Sequence, residues 1–415
     1  MRVLIAIGLH TAFEKPLVTG VWRPTGTPAL AKLIETLDQA DQEPEVFFLG
    51  KRPEQLRDFG HSGPLRLEGL TTRPRYIPPL RRLTWPLNRI RWYLNEAWQV
   101  WAVLRTYRTF KPDVIYFDRA NVVIAALFAS VTRTPVVFRL LGMHPTMYAV
   151  TDGRRPYYAL MRWAYRSPFA CVICSQDGSG AEGWLDRLFA PGVPQHLMLN
   201  GVDPLDRNVN EHLLPGVPRD KTVVTFLGRL EKEKGGEEFV AGFLRALAVE
   251  RDGLHAVIIG DGSRAESMRH TVAAAGAADA VTFAGAISHD HVLGALRNTD
   301  IYVSLNRFGN LSNANLEAMR AACCMIFPRS QPDIGTDLAT DQMLPPETIL
   351  RIPSSHDVEA LAEAIVHLHR NPAERQSRAR ATERVAKGFT RTWAERMAAE
   401  MRILEKLAGR AGRAP

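Results

Sequence analysis

Two cations on a short turn offer the clearest chemistry in this chain. Residues 223–235 read Val-Val-Thr-Phe-Leu-Gly-Arg-Leu-Glu-Lys-Glu-Lys-Gly. The apolar run ends at Gly228, and Arg229 and Lys234 follow before a helix-like stretch from Glu237. Cations at the carboxyl end of a strand sit where open α/β sheets bind ligands. A guanidinium can take two phosphate oxygens at once, and an ammonium acts as a compact point charge. The expected ligand is a phosphate-bearing small molecule. Arg119, in Asp118-Arg119-Ala120-Asn121, also follows a strand-like run. It could bind an acidic acceptor or pair with Asp118.

The elements that must position these residues alternate. Strands are predicted at Val3–Ile7, Glu45–Leu49, Asp113–Phe117, Thr134–Arg139 and Ala170–Cys174. Helices are predicted at Thr27–Asp38, Leu87–Arg108, Val122–Val131 and Tyr157–Arg166. After Gln195–Leu199 comes Asn200-Gly201-Val202-Asp203, then a polar, Pro-containing stretch to Lys221 that reads as an interdomain linker. A second series begins at Thr222, with strands at 222–227, 255–259, 281–284, 301–304 and 324–327, and ends in an amphipathic helix, Trp393–Ala408. Such β–α–β order implies parallel sheets with helices on both faces. The expected fold class is α/β, with two Rossmann-like doubly wound domains facing across a cleft. Their expected bounds are 1–203 and 204–388, with 389–415 packing back toward the first domain.

A chain of 415 residues exceeds one ordinary core, which supports two domains. The longest apolar stretch, Val122–Val131, is too short to span a bilayer. The N-terminus reads as a first strand and lacks a signal-peptide pattern, so a cytoplasmic location is expected. Cys171 and Cys174 have redox-motif spacing but sit in an apolar run, and Cys323-Cys324 follows a helix pattern. All four are expected to be structural, and no metal site is evident. A net charge of +8 points to acidic partners. Residues 73–108 hold eight arginines, one acidic residue and four of the eight tryptophans. Leu87, Ile90, Leu94, Trp98, Trp101 and Leu104 recur at helical spacing and are expected to face the core. The loop Arg73–Trp85 is the candidate for an anionic membrane surface. No nucleic-acid signature accompanies it, so nucleic acid is not an expected partner.

Several second-half segments, in order, resemble the nucleotide-sugar-binding domain of GT-B glycosyltransferases of family 4. They are Gly228-Arg229-Leu230 with Lys234-Gly235, Val257-Ile-Ile-Gly260-Asp-Gly262, Val281–Gly285, Asp300–Ser304 and Leu316-Glu317-Ala-Met319. Ser175 and Asn200–Asp203 resemble the family's end-of-first-domain signature, and Phe389–Trp393 its entry to the last helix. The resemblance implies a retaining transfer from a nucleoside diphosphate sugar to an acceptor glycan or lipid-linked sugar, with no cofactor; a peripheral place at the membrane is expected from the Arg73–Trp85 loop. It implies that Arg229 and Lys234 clasp the donor diphosphate and neutralise the leaving group. Glu317 would hold the ribose, and Ser312 and Asn313, at that helix's start, would meet the β-phosphate. Gly228, Gly260 and Gly26 would let backbone approach the donor, and His144, after a strand, would contact the sugar. Arg119 remains an acceptor candidate.

The chain departs from the family in the segment Gly309–Asn315 and again at Arg320–Cys324, where small residues replace a tight turn. The family pattern has two glutamates eight apart, and counting back from Glu317 gives Gly309. Two alternatives stay open: a nucleotide-sugar epimerase, which shares this fold and parts of the nucleotide site, and a catalytically silent binding scaffold, which the missing carboxylate motivates.

Overall fold

The structure, a computed structural model, describes residues 1–40, 42–56, 59, 63–81, 88, 90–143, 145–204, 214 and 216–411. The chain runs β1 (Arg2–Gly8), α1 (Thr11–Thr19), α2 (Pro28–Gln39), β2 (Glu43–Leu49), β3 (Arg75–Ile77), α3 (Arg91–Phe110), β4 (Val114–Asp118), α4 (Val122–Val131), β5 (Val136–Leu140), α5 (Pro145–Asp152), α6 (Pro156–Tyr165), β6 (Cys171–Ser175), α7 (Ala181–Leu188) and β7 (Gln195–Met198). It continues through β8 (Thr222–Leu227), α8 (Gly236–Val249), β9 (Leu254–Ile259), α9 (Ala265–Ala274), β10 (Val281–Gly285), α10 (His289–Arg297), β11 (Ile301–Val303), α11 (Asn313–Arg320), β12 (Cys324–Pro328), α12 (Leu338–Met343), β13 (Ile349–Ile352), α13 (Val358–Arg370), α14 (Pro372–Phe389) and α15 (Trp393–Ala411). Two compact units result. The first holds Met1–Ser175, Ala181–Met198 and Trp393–Pro415, and the second Gln176–Gly180 and Leu199–Thr392.

The first unit's sheet has strand order β3-β2-β1-β4-β5-β6-β7, all parallel. Alternate side chains of β1 enter opposite cores. Val3, Ile5 and Ile7 join α1, α2 and α15 on one face, and Leu4 and Ala6 join the α4 side on the other. Burial on both faces is why parallel strands read as continuous apolar runs. Cys171 and Cys174 are buried free thiols on β6, as the apolar run predicts. Helix α15 is anchored by a buried charge cluster. Glu400 accepts from Tyr116 Oη (2.5 Å) and Arg396 Nη1 (2.7 Å), with Arg139 Nη1 at 3.6 Å. Burial opposes the Glu400 charge, but the two guanidiniums outweigh it and hold its carboxyl below the usual range.

The second unit's sheet has order β10-β9-β8-β11-β12-β13, again parallel. In both sheets the chain winds outward from its first strand, then returns to that strand's other side. The switch points therefore lie between β1 and β4 and between β8 and β11. Ligands bind at the carboxyl ends of strands at such points.

Helix α3 corrects one expectation. Most of its apolar stripe does not face the core: Ile90, Leu94, Trp98 and Trp101 are exposed, Leu104 alone of the described stripe packs against the core, and Leu87 lies outside the described residues. The buried positions are instead Asn95, Glu96, Gln99 and Val103. The inward face is polar because buried groups need partners there. Gln99 Nε2 donates to Gly50 O (2.6 Å), and Lys51 Nζ donates to Glu96 Oε1 (2.7 Å) and Gln99 Oε1 (2.8 Å). Asn95 Oδ1 accepts from Leu80 N (2.9 Å). The Arg73–Trp85 segment is also more than a loop. It contains edge strand β3, where Arg75 pairs with Glu45 (2.7 Å), and residues 82–85 lie outside the described ones.

Candidate donor site

Gly228 follows β8 at the second switch point, and two glycines shape the turn there. Gly260 has φ +133°, and a Cβ on it would lie 1.9 Å from Gly228 O. Only glycine lets the two strand ends meet this closely. Their N–H groups are already used, Gly228 N to Ile259 O (3.0 Å) and Gly260 N to Gly285 O (2.8 Å). Both glycines thus set the shape of the turn, and neither N–H is left for a ligand. Beyond them Arg229 is exposed, and Lys234 lies half-buried on a 3₁₀ turn. Gly235, at φ +76°, nests that turn against Leu305, to whose Cβ an added methyl would come within 2.5 Å.

Burial lowers the Lys234 pKa, the nearby Arg229 charge lowers it further, and Asp177 and Glu233 oppose this. Asp177 was not singled out from the sequence. Its carboxyl is pushed up to about 6 by burial, against hydrogen bonds from Ser179 and the charge of Lys234. Among the described residues neither Arg229 nor Lys234 has an ion-pair partner. The turn therefore holds two mutually repelling cations, one of them desolvated, which an anion would stabilise.

Across the switch point, the segment after β11 leads into α11. Ser312 caps that helix, its Oγ accepting from Asn315 N, so its O–H proton remains to be donated. Asn313 Oδ1 accepts from Asn200 Nδ2 at 2.6 Å. Glu317 lies one turn in, its side chain 12% exposed and 3.9 Å from His289 Nδ1. Burial, and then the Asp203 charge, raise its carboxyl to about 7.

The departure at Gly309 has a steric cause. Its φ is +125°, and a Cβ would lie 2.4 Å from Asp177 O and 2.7 Å from Ser179 N. The 177–180 segment occupies the space a side chain would need. Leu311 N bonds Asp177 O (3.0 Å), and Asp337 N bonds Gly178 O (2.7 Å). Asp337 in turn accepts from Asn310 N (2.6 Å), from the Asn310 amide and from Thr340 Oγ1 (2.7 Å). Asn315 joins Tyr302, Ser304 and Asn310 in the same buried network. The sequence reading did not single out residues 177–180, Asp337 or Thr340. The one available signal was Asp177-Gly-Ser-Gly180, whose glycines both take positive φ.

The remaining candidates belong to the first unit. Gly26 packs beside Ala12, where an added Cβ would be 3.4 Å from the Ala12 Cβ. Arg119 opens a 3₁₀ turn and is partly buried. It does not pair with Asp118, whose carboxylate is taken by Gly8 N, Asn121 Nδ2 and His10 Nε2. His144 lies outside the described residues.

Two parallel-sheet units of this kind define the GT-B fold, and solved structures share it. Sucrose-phosphate synthase from Thermosynechococcus elongatus superposes with TM-score 0.73 at 15% identity, covering 98% of this chain and 99% of that one. Anabaena HepE, solved in complex with UDP, superposes with TM-score 0.68 at 13% identity, covering 98% and 100%. Residues 26–201 match the family described as glycosyl transferase 4-like domain, and residues 221–371 the one described as glycosyl transferases group 1. The chain belongs to the GT-B glycosyltransferases of family 4. A curated relative, 2-deoxystreptamine N-acetyl-D-glucosaminyltransferase of Streptomyces fradiae, is 30% identical over 250 residues. That match spans 54% of this chain and 58% of the relative.

Proposed function

We propose that this chain transfers a sugar from a nucleoside diphosphate sugar to an acceptor hydroxyl. The observation that carries the reading is the cation pair Arg229 and Lys234 at the β8–β11 switch point, with Lys234 desolvated beside a like charge. Charge grows on the diphosphate as the glycosidic bond breaks, and preplaced cations stabilise it most in the transition state. Arg229 takes two phosphate oxygens, and Lys234 neutralises the leaving group. The Ser312 hydroxyl and the first N–H groups of α11 meet the β-phosphate. The Glu317 carboxylate accepts the ribose hydroxyls. The reaction proceeds with retention, the acceptor proton passing to the departing phosphate, and no cofactor enters this reading.

HepE was solved with UDP, and the S. fradiae relative is named for N-acetylglucosamine transfer, so UDP and UDP-N-acetylglucosamine are the first probes. The acceptor is a glycan, a lipid-linked sugar or a cyclitol such as 2-deoxystreptamine. The outward face of α3 seats the enzyme on an anionic membrane. Trp98 and Trp101 stack there at 5.2 Å with Arg105 over Trp101, a better candidate than the loop Arg73–Trp85.

The test is calorimetric titration with UDP, followed by a panel of labelled nucleotide sugars offered with lipid extract and with 2-deoxystreptamine. Arg229→Ala with Lys234→Ala should abolish UDP binding without lowering the Tm of the free protein. Full affinity in that variant refutes the site. Conversion of the sugar nucleotide without transfer marks an epimerase, and binding without turnover marks a scaffold.

A further inference from the structure

The first sheet carries an ionisable pair at its own switch point. His10 lies two residues beyond the end of β1, and Asp118 is the last residue of β4. His10 Nε2 and Asp118 Oδ2 are 2.7 Å apart, with side-chain exposures of 29% and 2%. Asp118 Oδ1 also accepts from Gly8 N (2.9 Å) and Asn121 Nδ2 (2.7 Å). Gly8 is required for this closeness, since a Cβ there would lie 2.5 Å from the Ala120 Cβ. Burial opposes ionisation of Asp118. The hydrogen bonds from His10, Gly8 N and Asn121 outweigh it and hold the carboxyl below its usual range.

A carboxylate facing Nε2 fixes the ring proton on that nitrogen. Nδ1 then carries a bare lone pair, and among the described residues it has no protein partner. Phe13, edge-on at 6.4 Å between centroids, flanks the ring. Gly26 packs on Ala12, so the loop before α2 lies against the first turn of α1. Thr27 in that loop has φ 48°, and its Oγ1 is buried without a partner. A β-branched residue in the left-handed region is strained, and strain of this kind concentrates at binding sites.

We propose that the β1–β4 end of the first unit is an acceptor subsite in which His10 Nδ1 accepts the hydrogen bond of the attacking hydroxyl. This rests on the sugar-transfer reading above. The ligand class is a polyhydroxylated acceptor, a sugar or a cyclitol. His10 orients the nucleophile, and Asp118 is a positioning residue that sets the His10 tautomer. Nδ1 makes only a hydrogen bond, so the subsite is compatible with the proton leaving on the donor phosphate.

His10→Gln tests this directly. The glutamine amide can still donate to Asp118, but the Nδ1 acceptor is gone. Asp118→Asn is the companion variant: its amide donates to Nε2 and drives the ring proton onto Nδ1. With UDP-sugar donors and the acceptors named above, including water as a slow acceptor, both variants should lose about 100-fold in kcat/KM for the acceptor. UDP affinity should not change, and His10→Gln should melt with the unaltered protein. Undiminished turnover per folded molecule in His10→Gln overturns the inference alone, and a lowered Tm with normal turnover assigns His10 a purely structural role and does the same. UDP binding without any donor turnover by the unaltered chain refutes the transfer reading, and this inference with it.

Discussion

Glu317→Gln should stabilise the free protein above neutrality while weakening its hold on UDP. Burial and the Asp203 charge raise the Glu317 carboxyl from 4.5 to about 7. Between those values the folded state keeps a proton that the unfolded chain has released. Stability therefore falls as pH rises through that window and is level above it. At about 1.36 kcal/mol per pH unit, the cost reaches roughly 3 kcal/mol once both states are ionised. The side chain is only 12% exposed, so solvent screening removes little of this. Glutamine keeps the shape and drops the charge. In a unit of this size the variant should melt about 6 to 12 °C higher at pH 8, with the gap closing toward pH 5. Scanning calorimetry at pH 5, 6, 7 and 8 reads this. A gap independent of pH, or a variant less stable at pH 8, refutes the buried-carboxylate account. The same variant should bind UDP about tenfold more weakly, because hydrogen bonds to a charged acceptor are lost. Unchanged affinity would remove Glu317 from the ribose.

Gly309→Glu, which restores the family's first carboxylate, should cost about 3 kcal/mol or more in urea unfolding and gain no donor turnover, because its Cβ collides with Asp177 O. A stable, more active variant would contradict the steric account. Glu400→Ala should destabilise by about 3 to 5 kcal/mol, since it leaves Arg139 buried and uncompensated. The depressed Glu400 pKa makes that contribution full above the ordinary carboxylate range and lost as pH falls through its depressed value, so the gap should narrow in acid. Trp98→Glu with Trp101→Glu should abolish flotation on anionic vesicles while the Tm holds, and salt should weaken flotation of the unaltered chain. Flotation equal in both would return α3 to an ordinary surface helix.

The order of strands and helices is legible because each parallel sheet is buried on both faces, so its strands stand out as apolar runs. Helix α1 is not among the predicted helices, since it has only nine residues and Pro16 falls inside it. Helix α3 shows a different limit. Periodicity tells which residues share a face but not which face turns inward. Here Lys51 and the Gly50 carbonyl demand polar partners, so the polar side of α3 is buried and Trp98 and Trp101 face outward.

Local chemistry was decided by the sequence alone: two cations on one turn, a glycine pair beside them, a capped helix start and a carboxylate one turn in. These depend on residues close along the chain, where backbone geometry leaves few choices. Long-range pairings needed the fold. Gly309 has no room for a side chain because residues 177–180, far off in sequence, lie against it. His10 meets Asp118 across 108 positions because parallel pairing sets β4 beside β1. Lys234 is perturbed because burial and the Arg229 charge act on it together. Burial and distance are properties of packed neighbours, and no spacing rule along one chain reports them.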